Sequence, residues 1–176
     1  VQGLPHRFSG SRGLYAREEV RLLVSFLRSL ANPDDSVSLF YLVASEVYGM
    51  PEGDLLRLNH YARRKTRPLL EVLRGLPENE DLASVSGKTR AAAARLLADL
   101  ERATRRRTGE VLYGFLQWSG LLGRLAKESS AEAEAKVRNI ARFFEVVKAY
   151  GDVAEHDRVP AFVAHLDLLR EAGDDP

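Results

Sequence analysis

Residues 14–35 read LYAREEVRLLVSFLRSLANPDD, and this stretch carries the clearest structural pattern in the chain. Its apolar residues recur at the spacing of one helix face, and a proline follows them: Val20, Leu23, Val24, Leu27, Leu30 and then Pro33. Because side chains three and four positions apart share a face of a helix, the spacing predicts an amphipathic helix. The proline ends it, since proline cannot donate to the helical hydrogen-bond ladder and disfavours the helical conformation of the preceding residue.

The same periodicity continues through the rest of the chain. Asp34 or Asp35 is placed to cap a second helix that runs to about residue 47. Further helices are predicted over about 54–65, 67–73, 88–107, 110–126, 131–150 and after Pro160. We therefore expect a compact, irregular all-α fold of about seven helices, with at most one short strand near residues 4–8. At 176 residues, the chain is expected to form one domain, spanning 1–176.

The composition excludes several functional classes. With 26 basic and 25 acidic residues, any attraction to nucleic acid must come from local clustering of charge. The absence of cysteine excludes disulfides and thiolate metal sites and fits a cytoplasmic location. The four histidines show no metal-ligand spacing, and no apolar run reaches the ~20 residues that span a bilayer. We expect no metal, cofactor or membrane partner for this chain.

Residues 86–89 read SGKT and resemble the end of a phosphate-binding P-loop. A P-loop also needs a glycine five residues before Gly87, and position 82 is leucine. It follows a buried strand, whereas residues 77–85 read PENEDLASV. The segment therefore predicts a helix start capped by Ser86 and no nucleotide site.

Two runs of basic residues stand out, one over 63–67 and the other over 102–107. Cations at helix C-termini complement the helix dipole, so both runs have a purely structural interpretation. Adjacent arginines also neutralise phosphates, so a nucleic-acid contact stays open. Glu101 is placed to pair with Arg105 one helical turn later, which would weaken the second run more than the first. Trp118, among leucines and glycines, is interpreted as a core aromatic and not as a base-stacking residue.

A set of motifs in fixed order resembles the 2B subdomain of UvrD/Rep/PcrA-like superfamily 1 ATP-dependent DNA helicases. The first group comprises Leu4-Pro5-His6-Arg7, Gly10, Tyr15, Arg17, Glu19, Val20 and Ala31-Asn32-Pro33. The later group comprises Gly49-Met50-Pro51, Arg138-Asn139-Ile140 with Phe143-Phe144, and Pro160-Ala161-Phe162-Val163. In that family a turn like the one at 49–51 is associated with contact to duplex DNA. Pro51 stands where the family has a second glycine, which removes one backbone amide.

The resemblance implies an accessory, regulatory subdomain that contacts duplex DNA near the junction and controls unwinding during replication or repair. Walker A and B segments and the arginine finger are missing from this chain, so it is expected to hydrolyse no ATP by itself. The parent would be an ATP-dependent DNA helicase whose motor domains bind ATP and Mg. Residues 1–13 would lead in from a motor lobe and 170–176 would lead back, so the two ends are expected to lie close together.

The predicted DNA-binding residues lie in the turn and in the first basic run: Gly49, Met50, Arg63, Arg64, Lys65 and Arg67. They are expected to touch phosphates and to read no bases, with the basic run close to the 48–51 turn. The alternative is an all-α protein–protein interaction domain with no nucleic-acid role. An exposed apolar groove, with both arginine runs locked in salt bridges, would favour that alternative.

Overall fold

The computed structural model describes residues 13–176, and this part of the chain contains nine α-helices and no strand. Helices α1–α9 are, in order, Glu18–Ala31, Ser36–Ala44, Glu52–Lys65, Leu69–Gly75, Gly87–Ala103, Thr108–Trp118, Leu121–Lys127, Ala131–Val153 and Val159–Glu171. Three short 3-10 segments, Leu14–Ala16, Leu76–Glu78 and Glu80–Leu82, accompany them. The predicted all-α class is confirmed, while the strand expected near residues 4–8 lies outside the described residues.

The helix count differs slightly from the expected seven or so, in part because residues 110–126, predicted as one interrupted helix, form two. Gly120, between α6 and α7, has a φ of +69°, a left-handed conformation that glycine adopts without steric cost. None of the helices within 13–176 is long and apolar enough to cross a membrane. The predicted caps are confirmed at two helix starts. Asp35 accepts from the Ser38 amide at 2.9 Å, and Ser86 accepts from the Thr89 amide at 3.3 Å.

Helix α1 lies at the centre of the domain and contacts α2, α6, α8 and α9. The expected apolar face is fully buried at Val20, Leu23 and Leu27. Phe26, on the same helix, stacks on a phenylalanine of α6, Phe115, with ring centroids 4.2 Å apart. Burial extends beyond one face because helices pack around most of α1. The apolar spacing therefore predicted the helix correctly but indicated fewer buried residues than the structure shows.

Two polar contacts fix the position of α1 against the C-terminal helices. Glu19 is buried and accepts a hydrogen bond of 2.6 Å from the side-chain amide of Asn139 on α8. Arg28, in the last turn of α1, forms an ion pair with Asp167 of α9. A buried carboxylate is costly without such a partner, so Glu19 orients the helix and is not free to bind a ligand.

The two ends of the described chain lie side by side. The Leu14 amide donates to the Pro176 carbonyl at 3.0 Å, and the Tyr15 amide donates to the Asp175 carboxylate at 3.0 Å. Residues 5–10, for which closeness to the C-terminus was expected, lie outside the described residues. The first helical turn of the described part therefore contacts the last two residues of the chain.

Candidate nucleic-acid interface

The first basic run occupies the end of α3 because the helix stops there in a Schellman motif. The Thr66 amide donates to the Arg63 carbonyl at 3.1 Å, and the Arg67 amide donates to the Ala62 carbonyl at 2.9 Å. Thr66 closes the motif with a φ of +52°, a conformation that is rare for a β-branched residue. The sharp turn projects the exposed side chains of Arg63, Arg64, Lys65 and Arg67 from the last helical turn and just beyond it.

The four cations of this run are not equivalent. Arg64 and Lys65 both approach the Asp81 carboxylate at 3.7 Å, and both lie over the ring of Tyr61. All three charged groups in these ion pairs are exposed, so the pairs stabilise the fold only slightly. Within residues 13–176, neither Arg63 nor Arg67 forms an ion pair. These two arginines are therefore the cations of the run that are best able to meet an external anion.

Arg63 and Arg67 border an open groove of about 650 Å³ between the starts of α2 and α4 and the end of α3. Its other lining residues include apolar Val37 and Phe40. Val37 is 79% exposed, which is unusual for a large aliphatic side chain. The first basic run thus adjoins a partly apolar surface, the feature that the protein-interaction alternative requires.

The turn at residues 48–51 offers little to a phosphate. Gly49 has a φ of +58°, and its amide donates to the Ser45 carbonyl at 2.7 Å. The Met50 amide donates to the Val43 carbonyl at 3.1 Å, and its side chain is only 4% exposed. Pro51 has no amide hydrogen to give. Both available amides therefore already donate to carbonyls inside the turn. Contact between DNA and Gly49 or Met50 stays a prediction, and neither amide is free to donate to a phosphate.

The expectation that the basic run lies close to this turn is wrong. The turn precedes the first residue of α3, whereas Arg63–Lys65 form its last turn. At about 1.5 Å per residue, the 14 residues of the helix separate the two features by about 20 Å. The turn and the basic run are close in sequence, which suggested that they lie close in space. Because one continuous helix, α3, separates them, they lie at its opposite ends.

The turn is instead anchored to the middle of α5. The buried Tyr48 hydroxyl donates to Asp99 at 3.0 Å, and the Arg95 guanidinium donates to the Val47 carbonyl. Burial raises the pKa of Asp99, and burial together with the neighbouring Asp99 carboxylate raises the pKa of Tyr48. Arg102 approaches the other Asp99 oxygen at 3.7 Å. The turn is therefore linked through Asp99 to the second basic run.

The second basic run lies mostly beyond the helix that was expected to contain it. Helix α5 ends at Ala103 and not at residue 107, and Arg105 follows with a φ of +67°. The expected pair between Glu101 and Arg105 is wrong, because it needs a helix through both residues. Among the described residues, no ion pair joins them. The second run is consequently less neutralised than the sequence suggested.

The SGKT segment holds a carboxylate of the protein at its helix start. Asp54 of α3 accepts hydrogen bonds from the Ser86 amide at 3.1 Å, from the Ser86 hydroxyl and from the Thr89 hydroxyl at 2.6 Å. The hydrogen bonds from Ser86 and then Thr89 hold the pKa of Asp54 below its usual range. This position at the N-terminus of α5 is already filled by an anion, which supports the capped-helix interpretation. No cluster of three or more potential metal ligands occurs within 13–176.

Sequence reasoning missed the two buried carboxylates, Asp54 and Asp99, that organise these surfaces. Asp54 and Asp99 look like ordinary polar positions of α3 and α5, and their partners are far away in sequence: Asp54 bonds Ser86, and Asp99 bonds Tyr48. A weak signal existed for Asp99, since the helical period places it beside Leu96 and Leu100 on the buried stripe of α5.

These features define an all-α module with two exposed, arginine-rich surfaces. A family model described as "UvrD-like helicase C-terminal domain" matches residues 1–172, and the chain belongs to that family. Curated relatives include the ATP-dependent DNA helicase PcrA of Bacillus subtilis, 24% identical over 173 residues. The PcrA proteins of Staphylococcus epidermidis and Staphylococcus aureus are each 23% identical over 174 residues.

The coverage of these matches is strongly asymmetric. Each alignment includes 96% of this chain but only 23% of the relative. The chain thus spans about a quarter of the length of the helicases that it resembles. The similarity is confined to this helical module and does not include the remaining three quarters of those helicases.

Proposed function

We propose that this chain is the 2B accessory subdomain of an ATP-dependent DNA helicase and that it contacts duplex DNA through phosphates. In the parent protein, which would act in the cytoplasm, the motor domains would bind ATP and Mg and hydrolyse the nucleotide. The helical module would hold or shield the duplex near the junction and thereby regulate unwinding. The match of the family model over residues 1–172 is the observation that carries the assignment to a helicase.

The adjacent ends support attachment of the module to a larger protein through one face. Leu14 and Tyr15 hydrogen-bond to Asp175 and Pro176, so the first and last described residues lie at one place. A module joined in this way can rotate as a unit relative to its neighbours. That geometry suits the regulatory movement that the proposed function requires.

The unpaired cations at the end of α3 support phosphate contact. Arg63 and Arg67 are exposed and form no ion pair within 13–176, and Arg64 and Lys65 share one exposed carboxylate, Asp81. Duplex DNA carries about one charge per 1.7 Å of axis, which such a cluster can neutralise. Contacts of this kind position a protein on DNA without reading its sequence.

The protein-interaction alternative keeps one observation in its favour, the groove beside Arg63 with its exposed Val37. Its second requirement, that salt bridges lock both basic runs, is met only in part. Arg64, Lys65 and Arg102 have carboxylate partners, whereas Arg63, Arg67 and Arg106 have none among the described residues. The free arginines favour the nucleic-acid function.

A double substitution at the end of α3 tests the proposed contact. Arg63→Gln with Arg67→Gln should weaken duplex binding and lower the slope of log K against log salt by about 1.8, because each phosphate contact contributes about 0.9. Fluorescence anisotropy of a labelled duplex at several salt concentrations measures both effects.

The matched control removes two arginines from another surface. Arg138→Gln with Arg142→Gln, on the exposed side of α8, changes the net charge by the same amount. It should leave the salt slope unaltered. Equal losses of duplex affinity in the two double variants would contradict the proposed site. The loss would then follow from the change in net charge and not from the position of the arginines.

A further inference from the structure

The tryptophan at the end of α6 is not a simple core residue. Trp118 is partly buried and packs against the core at one side. Its six-membered ring lies against Gly114 one helical turn earlier, where a Cβ atom would stand only 2.6 Å from the ring. The glycine therefore lets the indole lie close to its own helix, in a position that any larger residue would prevent.

Two arginines of the second basic run lie over this ring. The Arg102 guanidinium carbon is 5.9 Å from the ring centroid, and that of Arg106 is 5.6 Å away. Both arginine side chains are exposed, Arg102 to 58%. A cation placed over an indole is attracted by the negative face of the ring, so Trp118 holds both guanidiniums in defined positions.

The surrounding charge is predominantly positive. Arg105 and Arg107 continue the run, and the Arg158 guanidinium donates to the Arg105 carbonyl at 3.5 Å. Within 13–176, one ion pair neutralises this group, that between Arg102 and the buried Asp99. Glu110 accepts from the Arg107 amide and not from its side chain. The run therefore places four arginines within residues 102–107, while Arg107 also lines a groove with Asp152, Glu155 and Asp157.

We propose that Arg102 and Arg106, which lie beside the Trp118 ring, form a second binding site for the phosphodiester backbone of a nucleic acid. The two exposed guanidiniums next to the indole offer charged hydrogen-bond donors to phosphates. The inference takes its partner from the proposed function but rests on a different surface. Trp118 acts here as a positioning residue for the two arginines.

Asp99 connects this site to the turn at residues 48–51. One carboxylate oxygen accepts from the Tyr48 hydroxyl at 3.0 Å, and the other lies 3.7 Å from Arg102. Because Asp99 is buried, both partners are held at fixed positions relative to it. The turn and Arg102 are therefore joined through one buried carboxylate.

The sole tryptophan of the chain provides a direct reporter of this site. Titration of the protein with a short unlabelled duplex should produce a saturable change in Trp118 emission, which added salt reverses. The same sequence as a single strand forms the second arm and distinguishes duplex from displaced strand as the source of phosphates. A response in either arm supports the site. Unchanged emission in both arms, while anisotropy registers binding, would overturn it.

Two double variants separate charge from geometry. Arg102→Gln with Arg106→Gln should lower the salt slope for duplex by about 1.8 and abolish the emission change. Arg102→Lys with Arg106→Lys keeps both charges but loses the planar guanidiniums. The salt slope for duplex binding should therefore persist, while the affinity for duplex falls. Arg138→Gln with Arg142→Gln again serves as the charge control. A Gln variant that binds like this control would refute the second site.

The experiments distinguish failure of the second site, at Arg102 and Arg106, from failure of the first site, at Arg63 and Arg67. If only Arg63→Gln with Arg67→Gln weakens binding, the proposed function stands and the second site fails. If only the substitutions at Arg102 and Arg106 weaken binding, the second site stands and the α3 contact fails. Circular dichroism of each variant, compared with the wild type, verifies that the helices are retained.

Discussion

The residue that most shapes the first basic surface is a threonine in an unfavourable conformation. Thr66 has a φ of +52° and closes the Schellman motif at the end of α3, a position where glycine is the usual residue. Such backbone strain costs on the order of 1–3 kcal/mol and is common at functional sites. The turn is what directs Arg63 and Arg67 toward the same groove.

Replacement of this residue tests the strain. Thr66→Gly should stabilise the domain by about 1 kcal/mol, because relief of the left-handed strain outweighs the added entropy of the unfolded chain. Chemical denaturation measures the change in the free energy of unfolding. Thr104→Gly is the matched control, since Thr104 is equally a C-cap but has a φ of −58°. That variant should destabilise, and stabilisation by both substitutions would contradict the account.

At the scale of elements, Asp54 clamps the N-terminus of α3 to the N-terminus of α5. It accepts from Ser86 and Thr89 and lies 3.6 Å from Arg57 in an ion pair. The Ser86 hydroxyl also caps α5, so one carboxylate orients a helix cap and joins two helices. Removal of such a buried acceptor leaves several donors without a partner.

The clamp predicts a loss of stability with a defined pH dependence. Asp54→Asn should cost about 1–3 kcal/mol at neutral pH, because the amide cannot accept all three hydrogen bonds. The folded-state pKa of Asp54 lies below its unfolded value, so the carboxylate contributes fully above about pH 4. Its contribution disappears as the pH falls through the folded-state pKa, and the difference between wild type and variant should shrink there.

Denaturation of both proteins across this pH range makes the comparison. The exposed Asp81 provides the control, since Asp81→Asn removes only surface ion pairs and should change stability by less than about 1 kcal/mol. A constant difference between wild type and Asp54→Asn from neutral to acidic pH would show that the carboxylate charge plays no part in the clamp.

The sequence predicted helices well where local chemistry sets their limits. Pro33, Asp35 and Ser86 mark the end of α1 and the starts of α2 and α5 because proline and capping side chains act on adjacent backbone. The end of α5 was missed by four residues, since the arginines after Ala103 favour a helix and no glycine or proline stops it before Gly109. Helix α6 begins at Thr108 and packs against α5, so the chain turns back between the two helices.

In the whole molecule, the 48–51 turn and the first basic run lie at opposite ends of α3. The sequence correctly identified the basic runs, but it grouped the first run with the 48–51 turn. Contacts such as Tyr48 with Asp99, 51 positions apart, depend on how helices pack and leave no periodic trace in a single sequence. The placement of the basic runs on the fold was therefore beyond prediction, whereas their positive charge is evident from the sequence itself.

The proposed function requires that this chain bind duplex DNA through its phosphates. The direct measurement is the dissociation constant of the wild-type chain for a labelled duplex at about 50 and about 200 mM salt. With four phosphate contacts at the end of α3, affinity should fall on the order of a hundredfold between the two concentrations. The same affinity at both concentrations, or no binding at the lower one, would contradict the claim.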